Sequence, residues 1–179
     1  PFQLSSHFRR RQRSGCSGSP GLSDLFQSTA AISSRLNSGI GATTFGKESM
    51  PTTVLFHAQC ADGLGAAWAA KRAKPDAVLI PVQYGQPPPV VTKADDVFIL
   101  DFSYKREVLL SMADQCRSIC VIDHHATAQE DLRDLPFCRF DMDQSGATMA
   151  WKFFHLGQPV PTLLKYIEDR DLWRFRLPF

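Results

Sequence analysis

From residue 52 onward, short apolar runs alternate with segments whose apolar positions recur every three or four residues. The run over 53–58 (TVLFHA) predicts a buried strand. The segment 63–73 predicts a helix with a narrow, closely packed face of Ala66, Ala67, Trp68 and Ala70. A second β-rich run covers 77–84, and the prolines of 85–89 mark a loop, because proline cannot donate to a ladder. Strands are predicted again at 97–100 and 119–122, with a helix over 104–116 between them that turns Val108, Leu109 and Met112 inward. A short helical turn near 128–135, an edge strand at 137–140 and helices over 145–156 and 161 to about 168 complete the pattern. Ser145 suits the cap of the first of these helices, and Pro161 the first turn of the second. Alternation at this spacing predicts an α/β fold, a mostly parallel sheet covered by helices.

Residues 1–49 have a different texture. They are rich in Ser and Gly and hold six basic side chains (Arg9, Arg10, Arg11, Arg13, Arg35, Lys47) against Asp24 and Glu48. Without a sustained apolar period such a stretch cannot bury enough surface to offset its ordering entropy, so a disordered leader is expected. Arg-rich, Ser-rich and acid-poor composition is that of an organelle transit peptide, which would mean a mitochondrial or plastid location. A solvated tail, or sequence read in frame ahead of a start at Met50, is the other reading, with the cytoplasm as the location. Gly41-Ala42-Thr43-Thr44-Phe45-Gly46-Lys47-Glu48 nearly spells a phosphate-cradling loop. Glu48 stands where that loop needs a hydroxyl, and no strand precedes it, so it is read as chance.

With 21% charged residues and a net charge of +2, the composition fits neither a chain disordered throughout nor a strongly basic nucleic-acid grip. No apolar run approaches the ~18–20 residues of a membrane-spanning helix. Five cysteines without C-x-x-C spacing argue against a zinc ribbon or a disulfide scaffold.

The polar residues carry the chemistry. His57 and Asp62 follow the first strand, Asp101 the third, and Asp123-His124-His125 the fourth. In parallel sheets the carboxyl ends of the strands share one edge, where ligands bind, so these residues converge there. Taken singly, Asp62 and Asp101 read as helix caps and His57 as a structural histidine. Together they form a mixture of carboxylate and imidazole that suits a divalent cation such as manganese, iron or magnesium. Two such ions ~3.5–4 Å apart would clamp a phosphoryl group and activate water for in-line attack.

Ile122-Asp123-His124-His125 resembles the signature of the DHH phosphoesterases. His57-Ala58-Gln59-Cys60-Ala61-Asp62-Gly63 is similar to that family's first motif, Leu100-Asp101-Phe102-Ser103 to its second, and Ser145-Gly146-Ala147-Thr148 to the helix start after the DHH motif. Residues 166–173 (YIEDRDLW) resemble the fourth, so the likeness spans about residues 53–175. It implies a DHH domain over 50–179 and a manganese-dependent hydrolase of phosphodiester or phosphomonoester bonds, with two ions and magnesium as the alternative metal. Asp101 would bridge the ions. Asp62, His124 and Asp169 would complete one site, and His57 would belong to the other. Asp123 would act as a metal-side or orienting carboxylate and as part of the catalytic set. His125 would face the substrate and donate to a phosphoryl oxygen. Arg170 and Lys105 are candidate phosphate partners. Asp171 competes with Asp169, and the fourth-motif alignment places Asp169 in the ligand position.

Two departures from the family pattern matter. Cys60 stands where the first motif commonly has an aspartate. It is read as a small buried residue in preference to a soft ligand, while Cys116 and Cys120 are read as core. Family members also carry a smaller C-terminal domain, DHHA1, that closes over the metals, whereas this chain ends directly after the fourth motif. A fragment of a longer product is expected, with an inactive remnant as the other reading. The expected partner is a small phosphorylated substrate or short single-stranded RNA. Duplex nucleic acid is not expected, because the net charge of 50–179 is slightly acidic, and neither is a membrane. A non-catalytic metal- or nucleotide-binding module is the alternative function.

Overall fold

The computed structural model describes residues 50–178. The leader, its transit-peptide reading and the loop-like sequence over 41–48 lie outside the described residues. Five strands form one all-parallel sheet: β1 (Thr52–His57), β2 (Val78–Val82), β3 (Asp96–Leu100), β4 (Ser118–Asp123) and β5 (Cys138–Phe140), in the order β2-β1-β3-β4-β5. Five helices accompany them: α1 (Ala61–Ala73), α2 (Arg106–Gln115), α3 (Ala126–Leu132), α4 (Gly146–Phe154) and α5 (Thr162–Asp171). This is the expected α/β architecture, and β5 is the edge strand the pattern predicted.

Period-two alternation along each strand splits the core into two layers. Val54, Leu100 and Ile122 face α1, α4 and α5, where they pack with Ala66, Ala69, Ala70, Ala147, Ala150 and Leu164. Leu55, Ile99 and Val121 face the other way, against Leu109 and Met112 of α2 and Leu132 of α3. The first layer is built from small side chains, so α1 and α4 approach closely; a Cβ at Gly65 would stand 2.8 Å from that of Ala147. Trp68 does not share this face. It is 37% exposed and stacks on Trp151 with ring centres 5.5 Å apart, because a large ring has no room between helices spaced by alanine and glycine.

Three local differences from the sequence pattern bear on the site. Helix α1 begins at Ala61, which puts Asp62 in its first turn, with Cys60 as the N-cap. Helix α5 starts after Pro161, which takes the N-cap position with an extended ψ of 146°. The same helix runs on to Asp171, past the end that the pattern suggests. Ser145, by contrast, caps α4 as expected, its hydroxyl accepting from the Thr148 amide at 3.3 Å. The sheet order changes direction between β1 and β3, since β2 lies on one side of β1 and the later strands on the other. At such a switch point the connections leave toward opposite sides and open a crevice beyond the strand ends.

A candidate metal centre at the switch point

His57 ends β1, Asp101 follows β3 and Asp123 ends β4, so three neighbouring strands deliver their chemistry to one rim. Asp101 is buried, 1% exposed, at a left-handed φ of 54°. An aspartate there costs roughly 1–2 kcal/mol relative to extended backbone. Its amide still donates to the Ile122 carbonyl at 2.9 Å, so the strained residue is held at the end of the β3–β4 ladder. A Cβ at Gly146 would stand 2.6 Å from the Cβ of Asp101, so only glycine lets α4 start this close to it. Gly63 has the same role for α1, where a Cβ would meet the His57 carbonyl oxygen at 2.2 Å.

Neither carboxylate oxygen of Asp101 accepts a hydrogen bond among the described residues. His124 Nε2 stands 3.2 Å from Oδ1 as an ion-pair contact without hydrogen-bond alignment, and His57 Nδ1 stands 3.7 Å from Oδ2. Burial, helped by the charge of Asp62, pushes the Asp101 carboxyl up to about 7. A buried carboxylate with two bare oxygens is costly unless a cation meets it.

His124 joins this acid to two others. Its Nε2 lies 3.5 Å from Asp62 Oδ2 and 3.5 Å from Asp171 Oδ2. Burial alone would lower the imidazole, but contact with Asp101 and the charges of Asp62 and Asp171 outweigh it and raise the group to about 9. Asp171 is itself raised by burial and by Asp62. Asp62 also serves the fold directly, because its carboxylate accepts the amides of Gly146 at 2.6 Å and Ala147 at 3.0 Å. It therefore caps the first turn of α4 from another helix. The capping alternative holds in kind, although the helix capped is not its own.

Donor atoms fall into overlapping groups that each lie within 4.8 Å: Asp62 with His124 and Asp171, Asp101 with His124 and His125, and His57 with Cys60 and Asp101. The grouping corrects the sequence reading in three places. Asp169 is not in the cluster. Its carboxylate accepts the amides of Arg176 at 3.0 and 2.9 Å and of Leu177 at 3.0 Å, which folds the chain end back on α5. Asp171 joins the group instead, because it shares a helix stripe with Leu164 and Ile167, the residues that pack α5 on the core. That stripe is a usable signal in the sequence.

Asp123 is the second correction. It is in none of the donor groups, and its oxygens are turned to other partners: Oδ1 receives His125 Nδ1 at 2.6 Å and the His124 amide at 2.8 Å, and Oδ2 receives the Ser103 hydroxyl at 2.6 Å. Burial would raise Asp123, but the His125 bond and charge, with the Ser103 bond, hold it below the usual carboxylate range. It holds Nδ1 of the His125 ring and raises that imidazole, which leaves Nε2 outside this bond. Ser103, quoted in the second motif but given no role there, completes this arrangement.

Cys60 is the third. It is only partly buried, and its thiol belongs to the cluster and not to the apolar core. Burial pushes that thiol up. His57 is lowered by burial and by the His125 charge. Of the cysteines assigned to the core, Cys116 is buried, and Cys120 is partly buried on β4.

Two clefts open beside the cluster. One, of about 720 Å³, is bounded by Cys60, Asp62, Arg170, Asp171 and Trp173. The other, of about 670 Å³, is bounded by Tyr84, Phe102, Ser103, Tyr104 and Lys105. Tyr84 sits edge-on to the His57 ring at 5.5 Å and lies against Phe102 at 4.5 Å. Arg170 and Lys105 are thus exposed side chains at the cleft walls and make no contact with the cluster acids. No helix among the described residues is long and apolar enough to cross a membrane.

Comparison with known proteins adds the fold and little more. No family profile matches the chain. A stretch of 88 residues is 35% identical to "Uncharacterized protein R106" of Acanthamoeba polyphaga mimivirus; it makes up 46% of this chain and 20% of the viral protein. The chain therefore spans a small part of that relative's length. The crystal structure of an uncharacterized protein from Helicobacter pylori G27 is similar, with a TM-score of 0.59 at 12% identity over 72% of this chain and 45% of that one. The likeness extends to the fold.

Proposed function

We propose that this rim is the cation centre of a metal-dependent phosphoesterase acting on small nucleotides or short single-stranded oligonucleotides. One observation carries the reading: Asp101, buried and strained with both carboxylate oxygens bare, lies between the donor set of His57 and that of His124. No packing or capping role uses those oxygens. The order of motifs resembling the DHH phosphoesterases supports the same reading.

In this centre Asp62, His124 and Asp171 hold a divalent ion, manganese or magnesium by the hardness of two carboxylates and one imidazole, and Asp101 is shared with a second position that includes His57. Such ions neutralise phosphoryl oxygens and supply a nucleophilic water at neutral pH. The chain's own residues do the rest. Ser103 and the backbone amides lock Asp123, and Asp123 locks His125. The raised imidazole of His125 then donates through Nε2 to a phosphoryl oxygen as negative charge grows. The clefts on either side leave room for the two groups esterified to the phosphate.

Hydrolysis of a chromogenic phosphodiester tests this. Manganese-stimulated turnover that is lost in Asp101→Asn is expected; cation binding with no turnover on any nucleotide ester would assign the rim to a non-catalytic binding module.

A further inference from the structure

We infer that His57, Cys60 and Asp101 form a soft, sulfur-containing cation position that takes zinc, beside the harder position of Asp62, His124 and Asp171. The inference deepens the reading above and rests on it only for the presence of cations at the rim. Three observations carry it. The donor atoms of the three residues lie within 4.8 Å of one another, and His57 Nδ1 is 3.7 Å from Asp101 Oδ2. Zinc bonds of ~2.0–2.1 Å to nitrogen and oxygen in a tetrahedron put those donors ~3.3 Å apart, so the pair needs to close by only ~0.4 Å to reach ligand spacing.

Asp101 supplies an unpartnered carboxylate, 1% exposed, on the same side as the thiol. Cys60, finally, is only partly buried, with its thiol among these donors. It is the N-cap of α1, yet its side chain makes no capping hydrogen bond, and it is in no core cluster. Sulfur, imidazole and a single carboxylate form a donor set that favours zinc over manganese, whereas the Asp62 set lacks sulfur and keeps the opposite bias. On ligation the thiol gives up its proton to solvent and binds as thiolate, so charge balances with one divalent ion. The rim is then a mixed pair, with a zinc-type ion on the β1 side and a manganese-type ion on the α5 side.

Cobalt(II) and manganese(II) titrations of the full chain test the assignment without reading hydrolysis. Wild type is expected to bind one cobalt with a sulfur-to-cobalt charge-transfer band that zinc abolishes and a ~100-fold excess of manganese leaves in place. Cys60→Ser should lose the band and still bind one manganese by electron paramagnetic resonance. Cys60→Asp should bind two manganese ions per chain where wild type binds one. The absence of the band in cobalt-loaded wild type, its survival in Cys60→Ser, or two equivalent manganese ions in wild type would overturn the inference. A second measurement on unaltered protein covers variants that fail to fold. Alkylation of Cys60, mapped by mass spectrometry, should slow at least ~10-fold with zinc and not with manganese, and equal rates in both metals would refute it. Loss of hydrolysis with these results intact would count against the phosphoesterase reading alone.

Discussion

Asp101→Asn keeps the shape of the side chain beyond β3 and removes its charge, so the variant measures what that charge costs the metal-free fold. The carboxyl is raised from its ordinary 3.8 to about 7, chiefly by burial. At ~1.4 kcal/mol per unit this corresponds to about 4 kcal/mol lost to the folded state once the group is ionised. The direction follows from linkage. The folded state holds the proton more tightly, so the stability that the neutral acid allows is fully present below pH 3.8 and is lost as pH rises through about 7. Asparagine escapes that loss and tolerates the left-handed φ at least as well. The value of about 7 already includes the attraction of His124, so the net gain stays at about 4 kcal/mol on the alkaline side. For a body of this size that is a rise of roughly 12–20 °C in Tm. Circular dichroism melts in a chelator should show Asp101→Asn above wild type at about pH 8, with the gap closing toward about pH 4. Manganese at ~100 times Kd should then add about 2.7 kcal/mol to wild type and nothing comparable to the variant. If Asp101→Asn melts below wild type in chelator on the alkaline side, the carboxylate is already satisfied and the case for a cation there collapses.

Three further outcomes follow from the geometry. Asp171→Asn should weaken manganese binding at least ~10-fold by isothermal titration; Asp169→Asn should leave it unchanged while speeding hydrogen exchange at the Arg176 and Leu177 amides, which the Asp169 carboxylate holds. Gly146→Ala should cost about 1–3 kcal/mol in urea unfolding and lower metal affinity as well, since the new methyl falls 2.6 Å from Asp101 Cβ. Ser103→Ala leaves Asp123 Oδ2 without its donor and should cost about 1–3 kcal/mol. It should also slow turnover with manganese stoichiometry intact, whereas a shift in stoichiometry would make Asp123 a ligand after all.

The strands are legible because each is a short apolar run bounded by turn residues, and the rim is legible because parallel strands must end on one side. What escapes is register at helix ends. The charged run Glu168-Asp169-Arg170-Asp171 resembles solvated surface, which hides the last turn of α5 and with it the choice between the two acids. Only the stripe continuing from Leu164 and Ile167 separates them. Cys60 escapes for a related reason: a single thiol between a strand and a helix carries no periodicity, so its surroundings emerge only when Asp101 and His57 are brought beside it. Trp68 fits an inward helical stripe by spacing, but the tight approach of α1 and α4 leaves it no volume.

The double duty of Asp62 separates what folding demands from what chemistry demands. Its oxygens hold the opening amides of α4, so selection for a stable chain retains that aspartate whether or not any reaction is performed. Asp101 gives the metal-free chain a strained backbone and, apart from the His124 contact, a buried charge with no hydrogen-bond partner among the described residues. On the proposed reading, a descendant that abandoned the reaction would be free to shed Asp101 and would still be held to Asp62 by its fold.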